Sequence, residues 1–327
     1  MYETIFAGSP SNRGLSLNFL TDDDIERIHE ASMSVLQRCG VYVEEAEARK
    51  HFADAGAWVD DKEEIVRIPQ GLVERCVKTT PATFHATGRI KESDRTVGGK
   101  RINFTNFGEG INMVDIDTGE VRPSTKQDVK DVAKIVDACE HYGVYERAVN
   151  PTDIPAPVAP IHNFEGSVLN TSKHHLIGPV TTSNAQAMID CAAAIQGGYD
   201  ELKKRPLLSF TLSPISPLKL VDHVTKIARL AGKYGVPCNF INMGMAGATT
   251  PVQLAGTMVC HNAELLAAVC YTQIMNEGAP LIYGTSTTGM DLRKANASVG
   301  SPELALIGAS HAQIAKFYKF PCLCAGG

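Results

Sequence analysis

From residue 102 onward the chain alternates apolar strand-like runs with amphipathic helical stretches, and this alternation limits the possible folds more than any other feature. Strands are predicted at 102–107, 144–150, 175–180, 207–213, 237–243, 281–285 and 321–325. Helices are predicted between them at 124–142, 160–172, 184–196, 217–233, 251–275 and 303–318. Strands that alternate regularly with helices run parallel and are joined by right-handed crossovers. The two usual outcomes are an open doubly wound sheet and a (β/α)8 TIM barrel. A doubly wound nucleotide-binding sheet needs a Gly-rich turn leading directly into a helix. Gly108-Glu109-Gly110 lacks a third glycine, and the segment after it reads as a hairpin through Asp117-Thr118-Gly119. The barrel is favoured, in a form that shows seven strands with the eighth βα unit missing.

Residues before the repeat read differently. Thr21 caps a helix whose first turn holds Asp22, Asp23 and Asp24, and Gly40 ends it. A second helix, a short strand near Val66 and a third helix after Pro69 follow. Residues 1–98 are therefore expected to form an amino-terminal α+β extension, and residues 99–327 the barrel.

Several functions are disfavoured by composition. With 31 basic and 36 acidic residues there is no basic footprint for nucleic acid. Residues 1–18 lack a basic start and an apolar core, and no apolar run reaches about 18 residues. No membrane contact is expected, and the expected location is cytoplasmic. Nine scattered cysteines suit buried free thiols in a reducing compartment. Cys322 and Cys324 are two apart, so on a strand they share a face, and they read as small residues on the inside of a sheet. No paired-ligand motif accompanies them, and no metal site is expected.

In a TIM barrel the chemistry lies at the carboxyl ends of the strands. The predicted ends carry small neutral polar groups among Met and Gly, and none carries Arg or Lys. Asn106, Asn242, Met243, Thr285 and Ser286 are the candidate substrate-binding residues, with Glu109 the candidate for balancing a cationic charge. Such a pocket suits an apolar or cationic small molecule over an anion. Thr250 and Ser301, each before a proline, read as helix caps. His261 reads as a satisfied core histidine, and His162, His174 and Lys294 as surface or loop residues.

The runs NMGMAGATTP (242–251), LAGT (254–257), HNAE (261–264), YGTSTT (283–288) and VGSPE (299–303) resemble the trimethylamine methyltransferase family of corrinoid-dependent methylamine methyltransferases. The resemblance runs from the first helix to the end of the chain. It implies a TIM barrel that transfers a methyl group from trimethylamine to the cob(I)alamin of a separate corrinoid protein. Glycine betaine and other quaternary amines are the alternative substrates, and an inactive amine- or corrinoid-protein-binding remnant is the alternative of another class. The chain has no D-x-H-x-x-G run, so it is expected to bind no cofactor itself, the cobalamin being carried by the partner. A homo-oligomer is expected. Family members continue further, and one branch has a pyrrolysine at the end of the seventh strand. The resemblance therefore implies an unread pyrrolysine just after Gly327.

Overall fold

The computed structural model describes residues 18–326. Gly327, with the expected pyrrolysine after it, and the first 17 residues lie outside the described residues.

In chain order the helices are α1 (Asp22–Arg38), α2 (Ala46–Asp54), α3 (Gln70–Thr79), α4 (Lys126–Ala138), α5 (Ala159–Val168), α6 (Thr182–Gln196), α7 (Tyr199–Lys204), α8 (Asp222–Lys233), α9 (Leu254–Met275) and α10 (Pro302–Tyr318). Their starts follow capping chemistry. Thr21 and Thr125 open α1 and α4 with reciprocal boxes to Asp24 and Asp128, and the Ser301 side chain accepts from Leu304 N at the head of α10. Thr250 does not cap α9. That helix starts three residues later than expected, at Leu254, because Thr249 and Thr250 turn the chain back onto Met245 and Gly247.

The chain divides into two compact units. The first comprises residues 83–211 and 233–237. Its parallel strands run in the order Phe104–Thr105, Tyr142–Glu146, His174–Ile177 and Leu208–Leu212, the last residue of which falls to the second unit. In register, His175 lies beside Tyr145 on one side and Leu208 on the other. Side chains alternate along a strand, and Tyr145 packs with Ala133 and Val136 of α4. His175 lies 5.3 Å from the Tyr145 ring and 5.4 Å from that of Phe164 in α5. Tyr145 and His175 thus face the helices, whereas Val144 and Glu146 face away from them. The hairpin Asn112–Val114 with Val121–Pro123, and the pair Thr83–Ala86 with Arg95–Gly98, complete this unit.

The second unit comprises residues 18–82, 212–232 and 238–326. Its three parallel strands are Cys238–Asn242, Leu281–Thr285 and Cys322–Cys324, with the middle one paired on both sides. Residues 18–82 belong here, with α1 and α3 packed against α9. α9 is buried nearly all round, as its apolar composition requires. The Gln313 carboxamide fastens the start of the described chain: its oxygen accepts from Phe19 N and Leu20 N, and its nitrogen donates to Leu20 O.

All seven expected strands form, that at 281–285 with the expected ends and the other six with changed ends. Residues 217–221 are not helical; Lys219–Leu220 pairs in parallel with Tyr42–Val43. Cys322 and Cys324 are exposed rather than inside a sheet, because their strand is paired only to Leu281–Thr285 among the described residues. His174 is not a loop residue. It starts its strand fully buried, with Nδ1 donating to Pro206 O at 2.9 Å and Nε2 accepting from the Ser209 hydroxyl at 2.8 Å.

Candidate functional site

Each unit presents a distinct group of polar residues at the carboxyl ends of its strands. In the first unit the expected strand at 144–150 stops at Glu146, so Arg147 stands at a strand end. This corrects the expectation that no basic residue lies there. The Arg147 guanidinium forms an ion pair with Glu109 and donates to Gly178 O at 2.9 Å. Its charge is thereby matched within the protein.

Asn106 and Glu109 meet through this same peptide. The Asn106 carboxamide brackets Glu146, accepting from its N–H at 2.9 Å and donating to its carbonyl at 2.8 Å. Beyond it, Glu109 N donates to Arg147 O at 2.7 Å, with Glu109 in the left-handed region at φ 67°. Both residues therefore hold the chain around 146–147.

Glu146 is the residue the sequence reading missed. Its side chain leaves the strand on the face turned from α4 and α5, and no group among the described residues donates a hydrogen bond to its carboxyl. Burial, and next the negative charge of Glu109, push its pKa up to about 7, against the pull of Arg147. A signal was present in the sequence: Glu146-Arg147 interrupts an apolar run, and a strand covered on both faces rarely carries charge before its end.

In the second unit the strands bring Asn242 and Thr285 into register as direct partners, and Ser286 N donates to Asn242 O at 2.8 Å. Met243 follows, 53% exposed. Asn242 faces α9, where its Nδ2 donates to Glu264 Oε2 at 2.7 Å. Thr285 shares a strand face with Tyr283, which also points to the helices: its hydroxyl donates to Asn262 of α9 at 2.6 Å, and its ring stacks on His311 of α10 at 4.6 Å. Asn242 and Thr285 are thus turned to the helical layer, and Ser286 and Gly284 to the opposite face.

Glu264 gathers the loop ends of this unit. Besides Asn242, its carboxylate accepts from the Ser216 hydroxyl at 2.7 Å and from Leu218 N at 2.9 Å. Burial is the largest influence on its pKa and raises it.

A chain of hydrogen bonds then links two strand ends to two helices, and its direction is fixed. Tyr283 O can only accept, so His311 Nε2 carries the proton, at 2.9 Å. His311 Nδ1 must accept from His261 Nε2, also at 2.9 Å, and His261 Nδ1 accepts from the Thr287 hydroxyl at 3.1 Å. Thr287 in turn accepts from Gly244 N at 3.1 Å. Burial lowers both imidazoles, His311 to about 4, so both are neutral. His261 is the satisfied core histidine the sequence suggested.

Among the described residues no group of three His, Cys, Asp or Glu could hold a metal ion. No described helix is long and apolar enough to cross a membrane.

A profile of the family "Trimethylamine methyltransferase (MTTB)" matches residues 5–327. The chain belongs to the trimethylamine methyltransferase family. Trimethylamine methyltransferase MttB of Desulfitobacterium hafniense (strain DSM 10664 / DCB-2) is 41% identical over 98% of this chain and 65% of its own length. The glycine betaine methyltransferase of Desulfitobacterium hafniense (strain Y51) is 32% identical, over 95% of this chain and 64% of its own length. The chain thus spans just under two thirds of these relatives. Among solved structures, the Methanosarcina barkeri monomethylamine methyltransferase (MtmB) matches with a TM-score of 0.53 and 12% identity, over 92% of this chain and 67% of that one. This likeness shows the fold, an α/β fold of the TIM-barrel type that this trimethylamine methyltransferase family chain shares.

Proposed function

We propose that the protein transfers a methyl group from trimethylamine to the cob(I)alamin of a separate corrinoid protein. The observation that carries this reading is the family match over residues 5–327, with 41% identity to a trimethylamine methyltransferase. The identity to the glycine betaine enzyme is lower, at 32%. The charge at the strand ends agrees. Arg147 is matched by Glu109, which leaves Glu146 as a carboxyl free to meet a cation.

An amine leaves a methyl group poorly unless it is cationic, and the acceptor must approach the methyl carbon in line. The protein's task is therefore orientation and preservation of positive charge. The cobalt-bearing acceptor is read as a substrate delivered by the partner. Within the second unit, Ser286 and Met243 stand at the strand ends as candidate substrate-binding residues, with Thr285 beside them and Asn242 holding that rim through Glu264 of α9. Asn106 and Glu109 would do the same for Glu146. A homo-oligomer working in the cytoplasm completes the proposal.

The test uses protein made from the complete gene, mixed with trimethylamine and a reduced corrinoid protein. Conversion of cob(I)alamin to methylcobalamin in the absorption spectrum supports the reading. A betaine carboxylate would meet no unmatched basic side chain at the Arg147–Glu109 pair and would lose on the order of 1–3 kcal/mol, at least tenfold in preference. Equal or faster turnover of glycine betaine would transfer the chain to the quaternary-amine reading.

A further inference from the structure

Resting on the reading above, we infer that Glu146 is the residue that binds the substrate's ammonium group, and that Gly108 is the part of the site that makes room for its carboxyl. Three observations meet here. First, alternation along Tyr142–Glu146 turns Glu146 away from the helices, because Tyr145 is packed on α4. It stands at the carboxyl end of a strand, where the chemistry of a TIM barrel is placed.

Second, the carboxyl lies directly against Gly108. A Cβ on Gly108 would fall 2.9 Å from both Cδ and Oε1 of Glu146. Any other residue at 108 would displace the carboxyl from this position. The backbone on either side is pinned, by Asn106 on the Glu146 peptide and by Glu109 N on Arg147 O.

Third, among the described residues the carboxyl has no hydrogen-bond donor. The adjacent guanidinium of Arg147 is turned to Glu109 and to Gly178 O, and no described donor reaches the Glu146 side chain. Burial without donors disfavours the charged form of the carboxyl, and an arriving cation stabilises that form. A methylated ammonium ion suits it better than a metal ion. It is large and weakly hydrated, and it needs one counter-charge instead of several ligands.

The probes are trimethylamine hydrochloride and tetramethylammonium chloride, titrated calorimetrically into the full-length protein at pH 8. Wild type should bind both cations. Glu146→Gln should weaken both at least tenfold, Glu146→Asp should recover part of the loss, and Gly108→Ala should weaken both while its thermal melt shows a folded protein. Binding by Glu146→Gln within twofold of wild type would overturn the assignment, as would wild type that binds neither cation. If Glu146→Gln fails to fold, Gly108→Ala decides by the same criterion. The two readings separate cleanly. Glu146-dependent binding without methyl transfer removes the proposed reaction and keeps this site, whereas methyl transfer with Glu146-independent binding does the reverse.

Discussion

Gly108 and Glu146 are in such close contact that a single methyl group on the glycine would stand 2.9 Å from the glutamate carboxyl. Arg147 is paired with Glu109 and offsets only part of the cost of burying the glutamate.

Stability should therefore depend on pH through Glu146. The charged groups facing it are Glu109 and Arg147, and the folded protein raises its pKa from the ordinary 4.5 to about 7. A raised carboxyl holds its proton more tightly in the folded state. Its contribution is fully present below pH 4.5 and is lost as pH rises through 7, about 3 kcal/mol in all. Glu146→Gln, which cannot ionise, should gain stability over wild type at pH 8 and lose that advantage at pH 5. Urea denaturation at the two pH values checks this; an advantage independent of pH would contradict it.

The histidine pair should stay neutral in mild acid. His311 is lowered to about 4 and His261 lies well below its usual value, both by burial. Two-bond proton–nitrogen NMR spectra should show the Nε2–H form for both rings, with shifts unchanged between pH 8 and pH 5. Titration of either ring near pH 6.5 would break the direction assigned to the chain from Gly244 to Tyr283.

Lys173 is a further anchor. It is buried, and its ammonium donates to Val136 O and to Cys139 O, the latter at 2.6 Å, at the end of α4. A cation at a helix carboxyl terminus meets both the free carbonyls and the negative end of the dipole. Lys173→Met, which keeps the apolar stem, should destabilise by about 1–2 kcal/mol, measured as a lower urea midpoint with an unchanged slope. An unchanged midpoint would count against this role.

Much of the fold was legible in the sequence because strand and helix periods differ and switch cleanly from residue 102 onward. Thr21 and Ser301, read as caps, do mark true helix starts, whereas Thr250 does not. The site was less legible. Asn242 and Thr285 were correctly placed at strand ends, but which face a residue takes depends on where the strand begins and stops, and one residue of error reverses it. Reading the second strand through to Asn150 hid Glu146 inside it and moved Arg147 away from the end. The apolar run likewise leaves His174 outside its strand, which starts one residue earlier than that run suggests. Cys322 and Cys324 do share a face, yet their exposure depends on what lies beside the strand, which local pattern cannot supply.

The most direct test of the proposed function follows the methyl group itself. Trimethylamine labelled with carbon-13 in its methyl groups is mixed with the full-length protein and a reduced corrinoid protein, and the products are followed by NMR. Labelled methyl on the corrinoid and dimethylamine are expected in equal amounts, both dependent on this protein. Label that stays on trimethylamine while the corrinoid remains unmethylated would contradict it.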